Sequence, residues 1–297
     1  MNRIKDQIRC GAAYRLGLTG KGIGVAGLDT GIFLHRDFDS RVTGFADMVN
    51  GKNFAYDDCG HGTHICGIIG GSGRMSGGRY SGIAPGCDLV MVKVLDRKGN
   101  GYSSDVLAGI SWILERKEKL GIRILNISVG ACSKRGMSEN SALVKGVNRA
   151  WDAGLVVVVA AGNNGPRTMS ITTPGISRKV ITVGCSDDDR EVLVGGNRMV
   201  DYSGRGPTAA CICKPDLVAP GCSVVSCSSR ADKYTIKSGT SMSTPIVSGA
   251  VALLLERFPD MTNKDVKLRL RESSVDIGLP RNQQGWGLLD VGKMIGK

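Results

Sequence analysis

The residue types best able to do chemistry stand at separate points of this 297-residue chain. Near the C-terminus, Ser241 lies in the segment Gly239-Thr240-Ser241-Met242-Ser243-Thr244-Pro245, before a long apolar run that predicts a buried helix. A serine hydroxyl is a weak nucleophile unless a base takes its proton and a dipole or cation stabilises the oxyanion. A helix N-terminus offers unpaired N–H groups and the positive end of a dipole. The segment therefore predicts a nucleophile that needs a base from elsewhere in the chain.

A candidate base occurs among the three histidines of the sequence. His61 stands between two glycines in the segment Asp57-Asp58-Cys59-Gly60-His61-Gly62-Thr63-His64, and the glycines leave room for a substrate around the ring. His64 follows at i+3, so a zinc-binding pair is an alternative. We favour the base, because neither HExxH spacing nor a third ligand accompanies the pair.

A candidate partner for the base is Asp29, in the segment Gly27-Leu28-Asp29-Thr30-Gly31, directly after a predicted buried strand. A carboxylate in that position is unfavourable unless it is paired. It could cap its own turn. It could instead hold an imidazole in the right tautomer and stabilise the imidazolium.

These segments, in the order Asp, His, Ser, resemble the motifs of the subtilisin-like serine proteases, the subtilases. The resemblance extends from about Tyr14 to Met294, and the basic, glycine-rich loop 71–80 is similar to that of intracellular and AprX-like bacterial members. It implies a serine endopeptidase that works through a triad of Asp29, His61 and Ser241 and an acyl-enzyme intermediate. A processing protease with one narrow peptide substrate is the alternative activity, and a catalytically silent peptide-binding scaffold is the non-enzymatic one.

The resemblance also assigns the rest of the site. Asn163, in Ala160-Ala161-Gly162-Asn163-Asn164-Gly165, is implied as an oxyanion donor beside the Ser241 N–H. An extended peptide gains affinity by adding to strand edges. The implied substrate-binding residues are the two edges Gly99-Asn100-Gly101 and Ser128-Val129-Gly130, together with a roomy, fairly apolar pocket lined by Ala160, Ala161 and Gly162, with Thr172 near its far wall.

Apolar runs alternate with helical segments along the chain, which predicts one α/β domain over residues 1–297, and the resemblance implies that this domain has a subtilisin-like fold. The sheet is expected to be mostly parallel, with helices on both faces. Predicted strands are Ile23–Leu28, Leu89–Leu95, Ile122–Ser128, Leu155–Ala160 and Val180–Val183. Predicted helices are His61–Ile69, Ser103–Leu120, Ser141–Ala153, Thr240–Arg257 and Thr262–Ser273.

Several acidic residues admit two interpretations. Asp57 and Asp58 could favour a basic substrate residue at a neighbouring subsite, or could form a solvated turn. The run 187–189 is expected to be a solvated turn rather than a cation site. Many subtilases bind structural calcium, and Asp37 fits one ligand position, but the loop 71–80 contains two arginines and no carboxylate. Since calcium prefers several charged oxygens, no cofactor is expected for the chemistry and a calcium site at this loop is doubtful.

Composition limits the remaining function classes. The net charge is +12, yet the basic residues are scattered and aromatic residues make up only 5%, so a basic surface is favoured over nucleic-acid binding. No apolar run reaches membrane-spanning length. The ten cysteines lack metal-site spacing. Without a signal peptide, reduced thiols and a cytoplasmic location are expected, or an extracellular one if the chain is a trimmed mature domain.

The expected partners are peptide or protein substrates, with a propeptide or a proteinaceous inhibitor as a further possibility. Nucleic acid and membrane are not expected partners, and the oligomeric state is not predicted. Family members usually carry a prodomain, which this sequence does not display. Cys59 and Cys66 lie close to His61 in the sequence, so bulky thiol reagents could crowd the base; alternatively, both are small buried apolar residues.

Two further motifs point to other classes. Asp29-Thr30-Gly31 also matches the aspartic-protease motif, but that chemistry needs a second carboxylate and no second Asp-Thr-Gly occurs. The stretch 22–27 matches GxGxxG, yet its glycines run into the predicted strand instead of following it, which disfavours a dinucleotide site.

Overall fold

The computed structural model describes residues 1–130 and 139–296. The strands in this part are β1 (Gly24–Asp29), β2 (Val42–Asp47), β3 (Asp88–Lys93), β4 (Ile122–Ile127), β5 (Val156–Ala160), β6 (Ile181–Cys185), β7 (Val192–Val194), β8 (Asn197–Met199), β9 (Leu217–Ala219), β10 (Val224–Cys227) and β11 (Tyr234–Lys237). The helices are α1 (Asn2–Gln7), α2 (Gly11–Tyr14), α3 (His61–Gly70), α4 (Ser103–Arg116), α5 (Ala142–Asp152), α6 (Thr240–Arg257), α7 (Asn263–Ser273), α8 (Arg281–Gln284) and α9 (Val291–Ile295).

Seven strands form one parallel sheet in the order β2-β3-β1-β4-β5-β6-β9. Every residue of β1, β5 and β6 is buried, as expected for apolar strands that are covered on both faces. Helices α3 and α6 pack against each other and the sheet, and α4 and α5 form a second such pair. The α/β, single-domain fold class is therefore confirmed.

The sheet order explains where the chemistry gathers. β1 has β3 on one side and β4 on the other, so the direction of chain progression reverses at β1. In open parallel sheets, ligands bind beyond the carboxyl ends of the strands at such a point. Asp29 ends β1, Ser128 follows β4 and Ala160 ends β5. The topology thus places these three predicted site residues along one edge of the sheet.

Helix α6 carries Ser241 into this edge. Fifteen of its 18 residues are buried, on all sides of the helix. A helix that is apolar all round belongs in a protein core or a membrane. Here it packs against β4, β5, β6 and α3. In the described residues, no helix is both long and apolar enough to cross a bilayer.

The predicted strands and long helices are present, with ends that differ by a few residues. Two strands of the main sheet were not predicted. β2 lies at the sheet edge with mostly half-buried residues, so its sequence lacks a continuous apolar run. β9 has only three residues, and it is defined by its pairing with β6 rather than by its own pattern.

Candidate active site

Asp29 and His61 form the first contact of the site. The Asp29 Oδ1 atom lies 2.8 Å from His61 Nδ1, and the Thr30 N–H donates to the same oxygen at 2.8 Å. The carboxylate is 1% exposed, and its Oδ2 has no hydrogen-bond partner among the described residues. A buried carboxylate accepts, so the Nδ1 atom carries the proton and Nε2 is left free to act as a base.

The electrostatics of His61 follow from this contact. Burial acts to lower the pKa of the ring, but the charge of Asp29 and its hydrogen bond outweigh it, so the pKa of His61 is raised above its usual value. The side chain remains 24% exposed. The ring can therefore accept a proton from the cleft while the buried carboxylate stabilises the resulting cation.

Close backbone packing sets the position of His61. A Cβ atom on Gly62 would lie 2.1 Å from the carbonyl oxygen of Gly31, so only glycine allows this approach. The Gly62 N–H donates to the Thr30 hydroxyl at 2.9 Å. The glycines around His61 were predicted to open space for substrate. The structure shows that Gly62 instead lets the histidine helix reach the strand that carries Asp29.

Asp57 and Asp58 do not line the cleft, and only Asp58 is exposed to solvent. The Asp57 carboxylate accepts from the hydroxyls of Thr30 and Thr63 at 2.9 and 2.6 Å, and from the backbone N–H of Gly60 at 2.8 Å. Asp58 lies 2.8 Å from the fully buried ammonium of Lys93. Both carboxylates are used to hold the loop that leads into α3. Since neither carboxylate lines the cleft, the structure gives no support to the suggested role in attracting a basic substrate residue.

His64 does not join His61 in a metal site. Its Nε2 atom lies 3.1 Å from the Val224 carbonyl oxygen, and burial lowers the pKa of His64 to about 3. The ring is thus neutral and buried at the contact between α3 and β10. Within the described ranges, no cluster of three ligand-type side chains includes either histidine.

Ser241 is the second residue of α6. Its hydroxyl donates to the carbonyl oxygen of Ser128 at 2.6 Å. Since a serine hydroxyl has a single hydrogen, it cannot donate to His61 Nε2 at the same time. Both side chains line the same cleft, which has a volume of about 460 Å³.

Asn163 lies beside the N-terminus of α6. Its Oδ1 atom accepts from the backbone N–H and the hydroxyl of Thr240, each at 3.0 Å. With the oxygen engaged in this way, the Nδ2 group is the donor left for the cleft, which Asn163 lines. Gly239 lies next to the amide, and its φ of +139° favours glycine at this position.

The predicted substrate-binding residues divide between two adjoining spaces. The cleft that contains Ser241 is also lined by Gly99, Ser128, Val129, Gly130, Ala160, Gly162 and Thr172. A neighbouring pocket of about 220 Å³ is lined by Asn100 and Gly101, together with Gly99, Val129, Gly130 and apolar side chains that include Leu95, Val106 and Ile127. Both predicted edges therefore border a continuous groove.

Ala161 differs from its neighbours. Its side chain is buried in a small apolar cluster with Val144, Ile171 and Ile176, and it does not line the cleft. Thr172 was predicted near the far wall of the pocket, and the structure places it in direct contact with two of the predicted glycines. Cβ atoms on Gly130 and Gly162 would lie 2.3 and 2.4 Å from Thr172 side-chain atoms, so the threonine fits between two glycines and limits the depth of the pocket.

The residues present do not fit a calcium ion at Asp37. Its Oδ1 accepts from the Met75 N–H at 2.9 Å, and its Oδ2 accepts from the Tyr234 hydroxyl at 2.7 Å. These groups are donors, whereas calcium requires six to eight oxygen ligands. Loop 71–80 thus reaches Asp37 through a backbone N–H, in keeping with its lack of carboxylates.

The run 187–189 is only partly the solvated turn that was predicted. Asp187 and Asp188 are 8% and 3% exposed, while Asp189 is exposed. The oxygens of Asp187 accept from the N–H groups of Gly221 and Cys222 and from Arg3, so they are committed to protein donors. Burial raises the pKa of Asp188.

The cysteines near His61 have different environments. Cys66 is 2% exposed and fits the interpretation as a small buried apolar residue. Cys59 is partly exposed and lines the cleft beside His61, and burial raises its pKa. The cysteines in the described residues are free thiols, and Cys132 lies outside those residues.

The two charged cleft residues that sequence reasoning missed are Lys98 and Lys237. Lys98 lies one residue before the predicted edge Gly99–Gly101. Lys237 ends β11, four residues before Ser241. The one feature of the sequence that could have indicated these lysines is that each lies close to an assigned motif. Nothing in the local sequence tells which way a lysine side chain points.

Known proteins are similar to this chain in sequence. A family model described as "Subtilase family" matches residues 20–287. Serine protease AprX of Bacillus subtilis (strain 168) is 43% identical over 290 residues, which cover 92% of this chain and 65% of that protein. The chain therefore spans just under two thirds of the AprX length. Subtilisin Savinase of Lederbergia lenta is 34% identical over 286 residues, which cover 96% of this chain and 95% of that protein.

A similar fold occurs in a solved structure. Sphericase superposes with a TM-score of 0.79 at 31% identity, covering 92% of this chain and 93% of that one. The motifs, the fold and these relatives agree. The chain belongs to the subtilase family and carries a subtilisin-like serine endopeptidase domain.

Proposed function

We propose that this protein hydrolyses internal peptide bonds of extended peptides through Asp29, His61 and Ser241, by way of an acyl-enzyme. The observation that carries the proposal is the 2.8 Å contact between Asp29 and His61 Nδ1 in the cleft that also exposes Ser241 and Asn163. A nucleophile, a base, a group that orients the base and an oxyanion donor then share one space, which is the constellation that acyl transfer needs.

Acylation requires the Ser241 hydroxyl to turn from Ser128 toward His61. Catalytic hydrogen bonds are often incomplete before substrate binds. The Ser128 carbonyl lies on one of the proposed peptide-binding edges, so a substrate N–H that bonds to it displaces the Ser241 hydroxyl. His61 Nε2 then accepts the hydroxyl proton as Ser241 Oγ attacks the carbonyl carbon. Substrate binding and activation of the nucleophile are coupled in this way.

The negative charge that develops on the carbonyl oxygen needs donors already in place. The Asn163 Nδ2 group and the Ser241 N–H supply them at the N-terminus of α6, where the helix dipole adds a favourable potential. His61 then donates its proton to the leaving amine. A water molecule, activated by the same ring, releases the acyl group and restores the enzyme.

The groove orients the peptide by main-chain hydrogen bonds. An extended segment fits between the edges Gly99–Gly101 and Ser128–Gly130, and its side chain before the scissile bond enters the pocket closed by Thr172. The apolar pocket beyond Gly99 accepts a further side chain on the same side. The substrates expected are peptides or unfolded protein segments, and a propeptide or inhibitor that occupies the same groove would compete with them.

Hydrolysis of a denatured protein substrate tests the proposal, with variants of two serines on α6. Ser241→Ala is expected to abolish cleavage. Ser243→Ala is the matched control, because that buried hydroxyl donates to the Ala219 carbonyl at 2.9 Å and does not line the cleft. The control should retain cleavage. Cleavage that persists in Ser241→Ala would refute the role of Ser241.

A further inference from the structure

The charged side chains that line the cleft are of one sign. Among its described lining residues, Lys98 and Lys237 carry full charges, and neither Asp nor Glu is present. Asp57 and Asp58, the acids next to His61 in the sequence, do not line the cleft, because Asp57 accepts from protein donors and Asp58 pairs with Lys93. A cleft lined by one sign of charge concentrates ligands of the opposite sign.

Lys237 lines the cleft together with Cys59 and His61, and its charge acts on both of those groups. The peptide-binding edges and the pocket closed by Thr172 hold the peptide up to the scissile bond. The other lining residues include Cys59, Gly195 and Lys237. Since His61 gives its proton to the leaving amine, a side chain beside His61 can reach the part of the peptide that follows the scissile bond, the leaving side.

The Lys237 ammonium has no ion pair or hydrogen bond with any side chain or carbonyl in residues 1–130 and 139–296. By contrast, the buried ammonium groups of Lys93 and Lys214 each contact an aspartate, at 2.8 and 2.6 Å. Lys237 still acts on the site. Burial and Asp29 have the larger effects on the pKa of His61, and the charge of Lys237 acts to lower that pKa.

We propose that Lys237 makes the cleft select peptides that carry a carboxylate within the first two residues after the scissile bond. The carboxylate can belong to an Asp or Glu side chain or to a free C-terminus, since the two share the same charge and acceptor geometry. Such a peptide supplies the partner that the ammonium lacks. The inference rests on the proposed peptidase activity and specifies its substrate class.

The test uses quenched fluorescent peptides that are identical before the scissile bond. In the first pair, one peptide has Asp and the other has Asn on the leaving side. The second pair compares a free C-terminus on the leaving side with its amide. The readout is the ratio of kcat/KM within each pair. Wild type is compared with Lys237→Gln, Lys237→Glu and Lys237→Arg. Lys21→Gln is the charge-matched control, because this exposed lysine precedes the amino end of β1, away from the cleft.

Wild type and Lys21→Gln are expected to prefer the acidic peptide by about threefold to fivefold, as for one partly exposed ion pair. The preference should shrink as salt is raised from about 0.02 to 0.5 M. Lys237→Arg should keep it, Lys237→Gln should lose it, and Lys237→Glu should reverse it. Which pair responds identifies the source of the carboxylate.

Equal kcat/KM for the acidic and neutral peptides in wild type would overturn the proposal, as would a preference that persists in Lys237→Gln. The neutral peptide tests the peptidase activity separately. If wild type does not cleave it, and cleaves no acidic peptide either, then the proposed function fails. If wild type cleaves both peptides equally, only the role of Lys237 fails.

Discussion

The two contacts that Asn163 accepts determine what its amide can do. Because Oδ1 holds Thr240 at the start of α6, the NH₂ group is directed to the cleft. The residue therefore has a structural function through its oxygen and a proposed catalytic function through its nitrogen. The two functions can be separated by substitution.

Asn163→Ala is expected to lower kcat by about 10²–10³ with little change in KM, which is the loss observed when an oxyanion donor is removed from subtilisin itself. Asn163→Asp keeps an acceptor for Thr240 but has no donor for the oxyanion. It should be at least as slow as Asn163→Ala while its melting temperature stays near that of wild type. An aspartate variant with wild-type kcat, measured on a peptide ester, would exclude the oxyanion role.

The pairing of Asp29 with His61 has a consequence for pH dependence. His61 must be neutral to act as a base, so kcat/KM rises as pH increases through the pKa of the free enzyme. Burial acts to lower that pKa, and Asp29 reverses the effect.

Asp29→Asn removes the charge, so the acidic limb of the profile should move to lower pH. The rate should also fall by about 10⁴, the order seen for this substitution in serine proteases. The measurement is kcat/KM against pH on an activated ester. A limb that stays in place or moves to higher pH would show that Asp29 does not set the pKa of His61.

At the scale of elements, the loop 71–80 and the strand β11 meet at Asp37. The Met75 N–H and the Tyr234 hydroxyl occupy its two oxygens, so protein donors stand where a cation would need ligands. The loop is thus held by hydrogen bonds within the chain.

Chelation with EDTA is accordingly expected to leave the melting temperature unchanged. Tyr234→Phe should lower the free energy of unfolding by about 1–3 kcal/mol, because it leaves a buried carboxylate oxygen without its hydroxyl donor. Thermal and urea unfolding measure the two effects. A fall in melting temperature on chelation that disappears in Asp37→Ala would instead reveal a cation at this position.

The helices and strands also show which features of the fold and the site could be predicted from the sequence alone. Asp29, His61 and Ser241 were predictable because each stands at the end of a strongly patterned strand or helix. The orientation of the Asp57 carboxylate was not predictable, because it accepts a hydrogen bond from Thr30, which is 27 positions away in the chain. Strand β9 was missed since three residues carry too little pattern, and its identity comes from its neighbour β6.

At the scale of the whole molecule, several charged side chains are buried in or beside the apolar core. Lys214, which lies before β9, is 1% exposed and 2.6 Å from Asp216. Burial lowers the pKa of Lys214 from its ordinary value of 10.5 to about 8, although Asp216 partly opposes the shift. Between these two pH values, Lys214 is more fully protonated in the unfolded chain than in the folded one.

The contribution of Lys214 to the free energy of unfolding is therefore lowest below about pH 8 and recovers as pH rises toward 10.5. Relative to Lys214→Met, wild type should gain stability across this window. Urea denaturation at several pH values measures the difference between the two proteins, in which titrations common to both cancel. A constant difference, or one that falls with pH, would contradict the lowered pKa.

The central claim is that Ser241 becomes acylated during turnover. Intact-mass measurement after acid quenching of the enzyme with an activated acyl ester tests it most directly, with peptide mapping to locate the group. We predict one acyl group per chain, attached to Ser241, present in Ser243→Ala and absent from Ser241→Ala. Turnover without an adduct, or an adduct on Cys59 in the same cleft, would contradict the proposed mechanism.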